Sequence, residues 1–180
     1  MKNILDLQTY RNRIIEEKSF SPWQKRFGET FEFNTHLADL SDKTLYFLAQ
    51  PGEQCAMAYY EIIMGALDLG PAIKFDYLEA TDQMQVVDIQ FFLADQIRFE
   101  LMRRLQWLTG FEAARYPLLE MIQQFDTVKA ACAAQPPELS ASHPGHDEYQ
   151  QLVPGDQQVF IRRMLPDALA TFTINKGGRP

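Results

Sequence analysis

Cysteine and histidine are scarce in this sequence. Two cysteines, Cys55 and Cys132, and three histidines occur among 180 residues, and no C-x-x-C pair is present. Small secreted domains that depend on disulfides contain many more cysteines, so that class is excluded. Two isolated thiols are typical of a reducing compartment, and we predict a cytoplasmic protein.

Long apolar runs are also missing. The longest uncharged apolar stretches are 54–60 and 62–67, whereas a membrane-spanning helix needs about 20 such residues. The first residues, MKNILDLQTYRNR, lack the apolar segment of a secretory signal. We therefore predict no membrane partner.

Positive charge is in deficit, and no long basic run occurs. Asp and Glu total 24 against 17 Lys and Arg, which gives a net charge of −7. The densest basic positions are the pairs at 103–104 and 162–163. A negative surface repels the phosphates of nucleic acids, so we predict no nucleic-acid partner.

Motifs that would specify an activity are absent. The chain has no Walker loop, GxGxxG, GxSxG or HExxH, each of which carries a known mechanism. The paired Glu-x-x-His motifs of di-iron bundles are missing too. We predict no cofactor, and the sequence leaves open whether the protein is an enzyme.

The chain is rich in apolar residues, and these residues are spaced as in α-helices. Hydrophobic residues make up 46% and aromatic residues 12%, so a folded core is expected rather than disorder. Apolar residues recur at helical intervals almost throughout. We predict an all-α fold in which six to eight helices form an orthogonal or bundle-like array around one long central helix.

The same spacing predicts the layout of a single domain over 1–180. Core helices occupy 1–134, a Pro-rich segment at 135–146 (QPPELSASHPGH) is a loop or mobile linker, C-terminal helices occupy 147–175, and 176–180 is a tail. Within the core, Ser21-Pro22 is typical of a helix start and predicts a helix over 22–40. Ser41 is a candidate N-cap for a short helix that follows it. Segment 53–69 predicts a helix rich in small residues, and 117–134 another. Segment 72–80 is either helical or extended, and we favour helical.

The central helix is predicted over 82–108. Its apolar residues cover nearly the whole circumference, which is typical of a helix buried on all sides. Asp88 and Asp95 are seven residues apart and therefore share one face, with Phe92 and Phe99 interleaved. A carboxyl group stripped of water retains its proton and can act as a general acid, so this pair is the candidate catalytic site. The structural alternative pairs Asp95 with Arg98, and Glu100 with Arg103 or Arg104.

A candidate metal site follows from the predicted helix over 22–40. On that helix Glu29, Glu32, His36 and Asp39 share one face. Glu32 and His36 are four residues apart, and a carboxylate with an imidazole suits Zn, Fe or Mn. The structural alternative is a solvated acidic face on which His36 pairs with Glu32.

Two hypotheses about function remain. The first is a small cytoplasmic helical protein that acts by binding a protein partner or itself, as a homodimer for example, because 22 aromatic residues exceed what one small core needs and favour an interface. The alternative is a helical-bundle protein or enzyme that binds a small ligand or a metal through carboxylates on the central helix. The ligand version predicts a cavity beside Asp88 and Asp95.

Overall fold

The computed structural model describes residues 2–110 and 112–177, with side chains described over 6–110 and 113–172. The described residues form nine α-helices, numbered α1 to α9: Lys2–Phe27, Asp42–Ala49, Glu53–Ala66, Ala80–Arg104, Leu118–Gln123, Phe125–Ala134, His146–Gln150, Pro154–Arg163 and Leu165–Gly177. Seven of these have eight residues or more. The all-α prediction is confirmed. The first two positions of the predicted tail, 176–177, belong to α9, so that boundary is wrong, and 178–180 lie outside the described residues.

Shorter elements connect these helices. Three 3-10 helices cover Leu37–Asp39 (η1), Ala72–Tyr77 (η2) and Glu112–Arg115 (η3), and two strands of two residues cover Leu108–Thr109 (β1) and Glu138–Leu139 (β2). Segment 72–80 is therefore mainly helical, as favoured. The strands pair antiparallel, with Leu108 opposite Leu139. No helix in the described part of the chain combines the length and apolar content needed to cross a membrane.

Helix α1 runs through the position where a new helix was predicted. Pro22 lies inside α1 and not at the start of a second helix, so that prediction is wrong. Proline removes one intrahelical hydrogen bond, but the flanking Phe20 and Trp23 are fully buried. Trp23 also donates from Nε1 to the Ala58 carbonyl, at 2.7 Å. Packing against α3 therefore keeps the helix continuous across the proline.

The predicted helix over 22–40 is wrong beyond Phe27. Gly28 has a φ of +69°, a left-handed conformation that ends helices, and 28–36 is irregular before η1 begins at Leu37. Phe31 is nevertheless buried and stacks on Phe20, with ring centroids 5.4 Å apart. The apolar spacing of this segment therefore reflects a loop that is anchored in the core by Phe31, and not a helix.

Helices α2 and α3 match their predicted starts. The Ser41 hydroxyl accepts a hydrogen bond from the backbone N–H of Thr44 at 3.1 Å, which caps α2 as the sequence predicts. Small residues allow α3 to approach α1 closely. A Cβ atom on Gly65 would lie 2.5 Å from the Lys18 carbonyl oxygen. The backbones of α1 and α3 are thus in direct contact.

Helix α4 is the unbroken long helix of the prediction, but it is shorter and less enclosed. It ends at Arg104 because Gln106 adopts a φ of +62°, so the predicted end near Leu108 is wrong. One side is buried along its length, through Val86, Ile89, Leu93, Ile97 and Leu101. Met84 is 68% exposed and Phe91 66% exposed on the other side. The expectation of burial on all sides is therefore wrong for the N-terminal half.

A buried ion cluster fixes the C-terminal end of α4. Glu100 is fully buried and accepts hydrogen bonds from Arg103 at 2.6 and 2.7 Å and from Arg104 at 2.9 Å, which confirms the predicted pairing. Arg104 also bonds Asp42 at 2.9 Å and the carbonyl oxygens of η1 and Leu40. A buried charge requires such partners. The cluster joins α4 to the first turn of α2.

The remaining helices pack onto this core. The predicted helix over 117–134 is broken at Gln124, where ψ is +33°, into α5 and α6. Segment 135–146 is a loop, but it contains β2, and the Ser140 N–H donates to the Trp107 carbonyl at 2.7 Å. Helix α9 contacts α2 and α4, and Phe172 stacks on Tyr46 with ring centroids 6.0 Å apart. The segment after residue 146 is therefore docked on the helices that precede it.

Candidate functional site

A cleft of about 560 Å³ lies beside Asp88 and Asp95. One wall is α4, the other is formed by the C-terminal half of α6 and by α8, and Pro136 and Pro137 also line the cleft. This volume is within the usual range for sites that bind small molecules. The cavity expected by the ligand hypothesis is thus present, and we refer to it as the α4–α8 cleft.

The α4 wall alternates aromatic and polar side chains. Asp88, Phe92, Asp95, Gln96 and Phe99 all line the cleft because their spacing brings them to adjacent positions around the helix. Phe92 packs edge-on against Phe125 of α6, with ring centroids 5.6 Å apart. Because Phe92 and Phe99 are themselves buried, their positions are set by core packing and not by a ligand.

The opposite wall supplies positive charge and small side chains. Lys129 and Ala133 contribute from α6, and Gln158 and Arg162 from α8. The Lys129 ammonium lies 5.1 Å from the Phe125 ring centroid. Gln158 donates from Nε2 to the Pro137 carbonyl at 3.1 Å. This hydrogen bond joins α8 to the loop that follows α6.

An ion pair crosses the cleft. Arg162 Nε lies 2.9 Å from Asp95 Oδ2, and the Arg162 guanidinium is 5.8 Å from the Phe99 ring centroid. The predicted pairing of Asp95 with Arg98 is wrong, since Arg98 donates instead to the Ala49 carbonyl at 3.3 Å. The partner of Asp95 is 67 residues away in sequence, a distance that helical spacing cannot reveal.

The structure changes the environment expected for the candidate catalytic pair. Asp88 and Asp95 do share one face and one cleft, as their spacing predicts. Asp88, however, is exposed, and Asp95 is ion-paired with 28% of its side chain accessible. The expected desolvation of both carboxylates is therefore wrong, although catalysis by this pair stays a prediction.

Glu32 and His36 do not share a helix face, because no helix covers them. Glu32 donates its backbone N–H to Thr35 Oγ1 at 2.8 Å, and His36 donates its own to Asp39 Oδ2 at 2.8 Å. Both contacts hold the turn that leads into η1. Across the described residues, no group of three or more His, Cys, Asp or Glu side chains is placed to hold a metal ion. Metal binding at Glu32 and His36 stays a prediction, but the shared helix face on which it was based is not present.

Cys55 lies in the core as a protonated thiol. Burial raises the pKa of the Cys55 thiol, which keeps it protonated, and its Sγ donates to the Phe47 carbonyl at 2.9 Å. Cys132 borders the α4–α8 cleft.

Sequence reasoning missed Gln96, the most buried polar side chain of the cleft. It lies in the apolar run from Phe91 to Ile97 and is only 7% exposed. An uncharged polar residue within a buried helical stretch is the signal that could have drawn attention to it. Lys129, Gln158 and Arg162 carry no such signal, because only the packing of α6 and α8 brings them to α4. No protein-family model, curated protein or solved structure matches this chain.

Proposed function

We propose that this protein binds a small organic molecule in the α4–α8 cleft. The single observation that supports this proposal most directly is that a cleft of about 560 Å³ combines one aromatic wall with a buried amide at Gln96. Sites for small molecules have this character, with mostly apolar linings and a few polar groups that fix orientation.

Binding accounts for the cleft better than catalysis does. General acid–base chemistry is favoured by carboxyl groups in contrasting environments, one of them shielded from water. Here Asp88 is exposed and Asp95 is already paired with Arg162. One aromatic wall and a few polar side chains suffice to hold a ligand without a reacting group.

A blocked cleft tests the proposal. Ala133 lines the cleft from α6, whereas the neighbouring Ala134 does not, and both are exposed. We expect Ala133→Phe to weaken binding of small aromatic molecules by at least tenfold, and Ala134→Phe to change it less than twofold. Two-dimensional NMR titration of the full chain measures the affinity and shows whether shifts map to α4 and α8. Equal affinities for the two variants, or no binding at all, would show the proposal to be wrong.

Self-association is a second candidate function. Ile73 is 78% exposed and Tyr77 is 86% exposed on η2, and Gln83 Nε2 ties α4 to η2 through the Phe75 carbonyl at 3.1 Å. Met84 of α4 is 68% exposed as well, and exposed apolar side chains favour burial in an interface. We propose a second copy of this chain as the partner that covers Ile73, Tyr77 and Met84.

Light scattering after size exclusion tests this second candidate. We expect a dimer at micromolar concentration that Tyr77→Glu disrupts and that Tyr10→Glu, a change at another exposed tyrosine, leaves intact. A monomer at every concentration, or the same effect of both changes, argues against it.

We also propose that the protein works in the cytoplasm. Cys55 and Cys132, both within the described residues, are not joined in a disulfide, as expected for a reducing compartment. Two titratable thiols per denatured chain in freshly isolated protein would support this, and an intermolecular or mixed disulfide would oppose it.

A further inference from the structure

Gln96 differs from the other buried polar side chains of the described part. Ser19, Thr35, Thr44 and Glu100 each have a hydrogen-bond partner, respectively the Ile15 carbonyl, the Glu32 N–H, Glu29 and two arginines. Gln96 is 93% buried, and among the described residues no partner of its amide is found. Buried amides in folded proteins are almost always paired.

The unpaired amide faces the α4–α8 cleft. In the described part of the chain, no side-chain nitrogen or oxygen that is sealed from solvent lacks a partner. The Gln96 amide must therefore be accessible, and the cleft is the space that Gln96 lines. A ligand in the cleft can supply the hydrogen bonds that the protein does not.

A glutamine amide presents one acceptor and two donors in a plane. This arrangement forms two parallel hydrogen bonds with any molecule that carries a donor and an acceptor side by side, as in the pairing of glutamine with adenine. The adjacent Phe92 and Phe99 rings favour a flat ring system, since planar rings pack well on aromatic side chains.

The charges around the cleft do not favour a charged ligand. Asp88 and Asp95 oppose Lys129 and Arg162, and the central pair, Asp95 and Arg162, already satisfies itself at 2.9 Å. The hydrogen bonds of an uncharged amide offset only part of the cost of burying an ion. A carboxylate or an ammonium group next to Gln96 would therefore keep most of its desolvation cost.

From these observations we infer that the α4–α8 cleft recognises a neutral, planar molecule through a donor–acceptor edge that pairs with the Gln96 amide. Carboxamides, lactams and the edges of nucleobases share this chemistry. The inference rests on the proposed function, because it names the class of ligand for the same cleft.

Four probes of similar size separate the possibilities in NMR titrations of the full chain. Benzamide and adenine carry the donor–acceptor edge, while benzoate and benzylamine carry a charge instead. We expect both edge-bearing probes to bind at least tenfold more tightly than both charged probes, and the tighter of the two identifies a carboxamide or a nucleobase as the better source.

Variants locate the recognition. Gln96→Leu should reduce the affinity for benzamide and adenine at least tenfold without weakening benzoate or benzylamine, because leucine has similar volume but no hydrogen-bonding group. Gln85→Leu, at an exposed glutamine of α4 that does not line the cleft, is the control and should change affinity less than twofold.

The outcomes distinguish the two proposals. If all four probes bind equally and Gln96→Leu has no effect, the inference about the ligand is wrong while binding in the cleft stands. If no probe binds and no shift maps to the cleft, both are overturned. The preference of the parent protein among the four probes decides the matter even if Gln96→Leu fails to fold.

Discussion

Gly65 allows the two helices that form the centre of the core to touch. The Cβ that any other residue would carry there falls 2.5 Å from the Lys18 carbonyl oxygen and 2.7 Å from Ser19 Cα. Lys18 is also the residue whose carbonyl would accept from position 22 in a regular helix, and Pro22 has no N–H to donate. The Lys18 carbonyl, which receives no hydrogen bond from Pro22, is the same carbonyl that lies against Gly65 of α3. The proline and the glycine therefore affect one contact between the two helices.

A methyl group at position 65 should separate α1 from α3. We expect Gly65→Ala to lower the free energy of unfolding by about 3 kcal/mol, because the clash is with backbone atoms that cannot rotate away. Urea denaturation measures this change. Gly155→Ala is the control, since nothing lies within 4 Å of its Cβ position, and its effect should stay below about 0.5 kcal/mol. Similar losses in both variants would contradict the close contact.

At the level of elements, the loop between α6 and α7 is held by His143. Its Nδ1 accepts a hydrogen bond from the Gly145 N–H at 3.0 Å, and its ring packs on Trp107 with centroids 4.8 Å apart. Burial lowers the pKa of His143, because the charged form is disfavoured away from water. Protonation at Nδ1 would also remove the acceptor of that hydrogen bond. The loop geometry therefore depends on a neutral imidazole.

This arrangement predicts a loss of stability in mild acid. The pKa of His143 is lower in the folded state than in the unfolded chain, where histidine titrates near about 6.5, so the unfolded state binds more protons in this range. Stability is therefore fully present above about pH 6.5 and falls as the pH decreases toward the folded-state pKa. His143→Asn keeps an acceptor and does not titrate. We expect the Tm of this variant to fall less between about pH 7 and 5 than the Tm of the parent protein. The same fall in Tm for both proteins would show that His143 does not cause the loss of stability.

At the scale of the whole molecule, the C-terminal helices complete the core. Phe172 on α9 is buried and stacks on Tyr46 of α2, and Arg162 reaches Asp95 on α4. The ion pair is partly exposed and worth at most about 1 kcal/mol. Apolar burial by α9 is therefore the main contribution to docking, and we expect the chain to unfold as one unit.

Truncation of Phe172 tests this cooperativity. Phe172→Ala should cost about 3 kcal/mol, which corresponds to a fall in Tm of about 6–12 °C for a protein of this size. The single unfolding transition should shift as a whole, and Val159→Ala, at a position 43% exposed, should leave it nearly unchanged. Calorimetry that resolves two transitions, with the larger one unaffected by Phe172→Ala, would show the C-terminal helices to be a separate unit.

The sequence alone predicts the structural features that depend only on residues close together in the chain. The helical character, the Ser41 cap and the small residues of α3 are local, because each is set by residues within a few positions. So are the bonds from Glu100 to Arg103 and Arg104, which one helical turn brings together. The common face of Asp88 and Asp95 belongs to the same class, since seven residues make two turns.

Features that depend on distant segments required the folded chain. Pro22 stays inside α1 because α3 packs against it, and the stretch around Glu32 and His36 is a loop because Phe31 anchors it in the core. Asp95 pairs with Arg162 rather than Arg98 for the same reason. The cleft at Gln96 exists because α6 and α8 meet α4 there without filling the space between them. Helical periodicity predicts which side chains share a face of one helix. It does not predict which distant helix packs against that face.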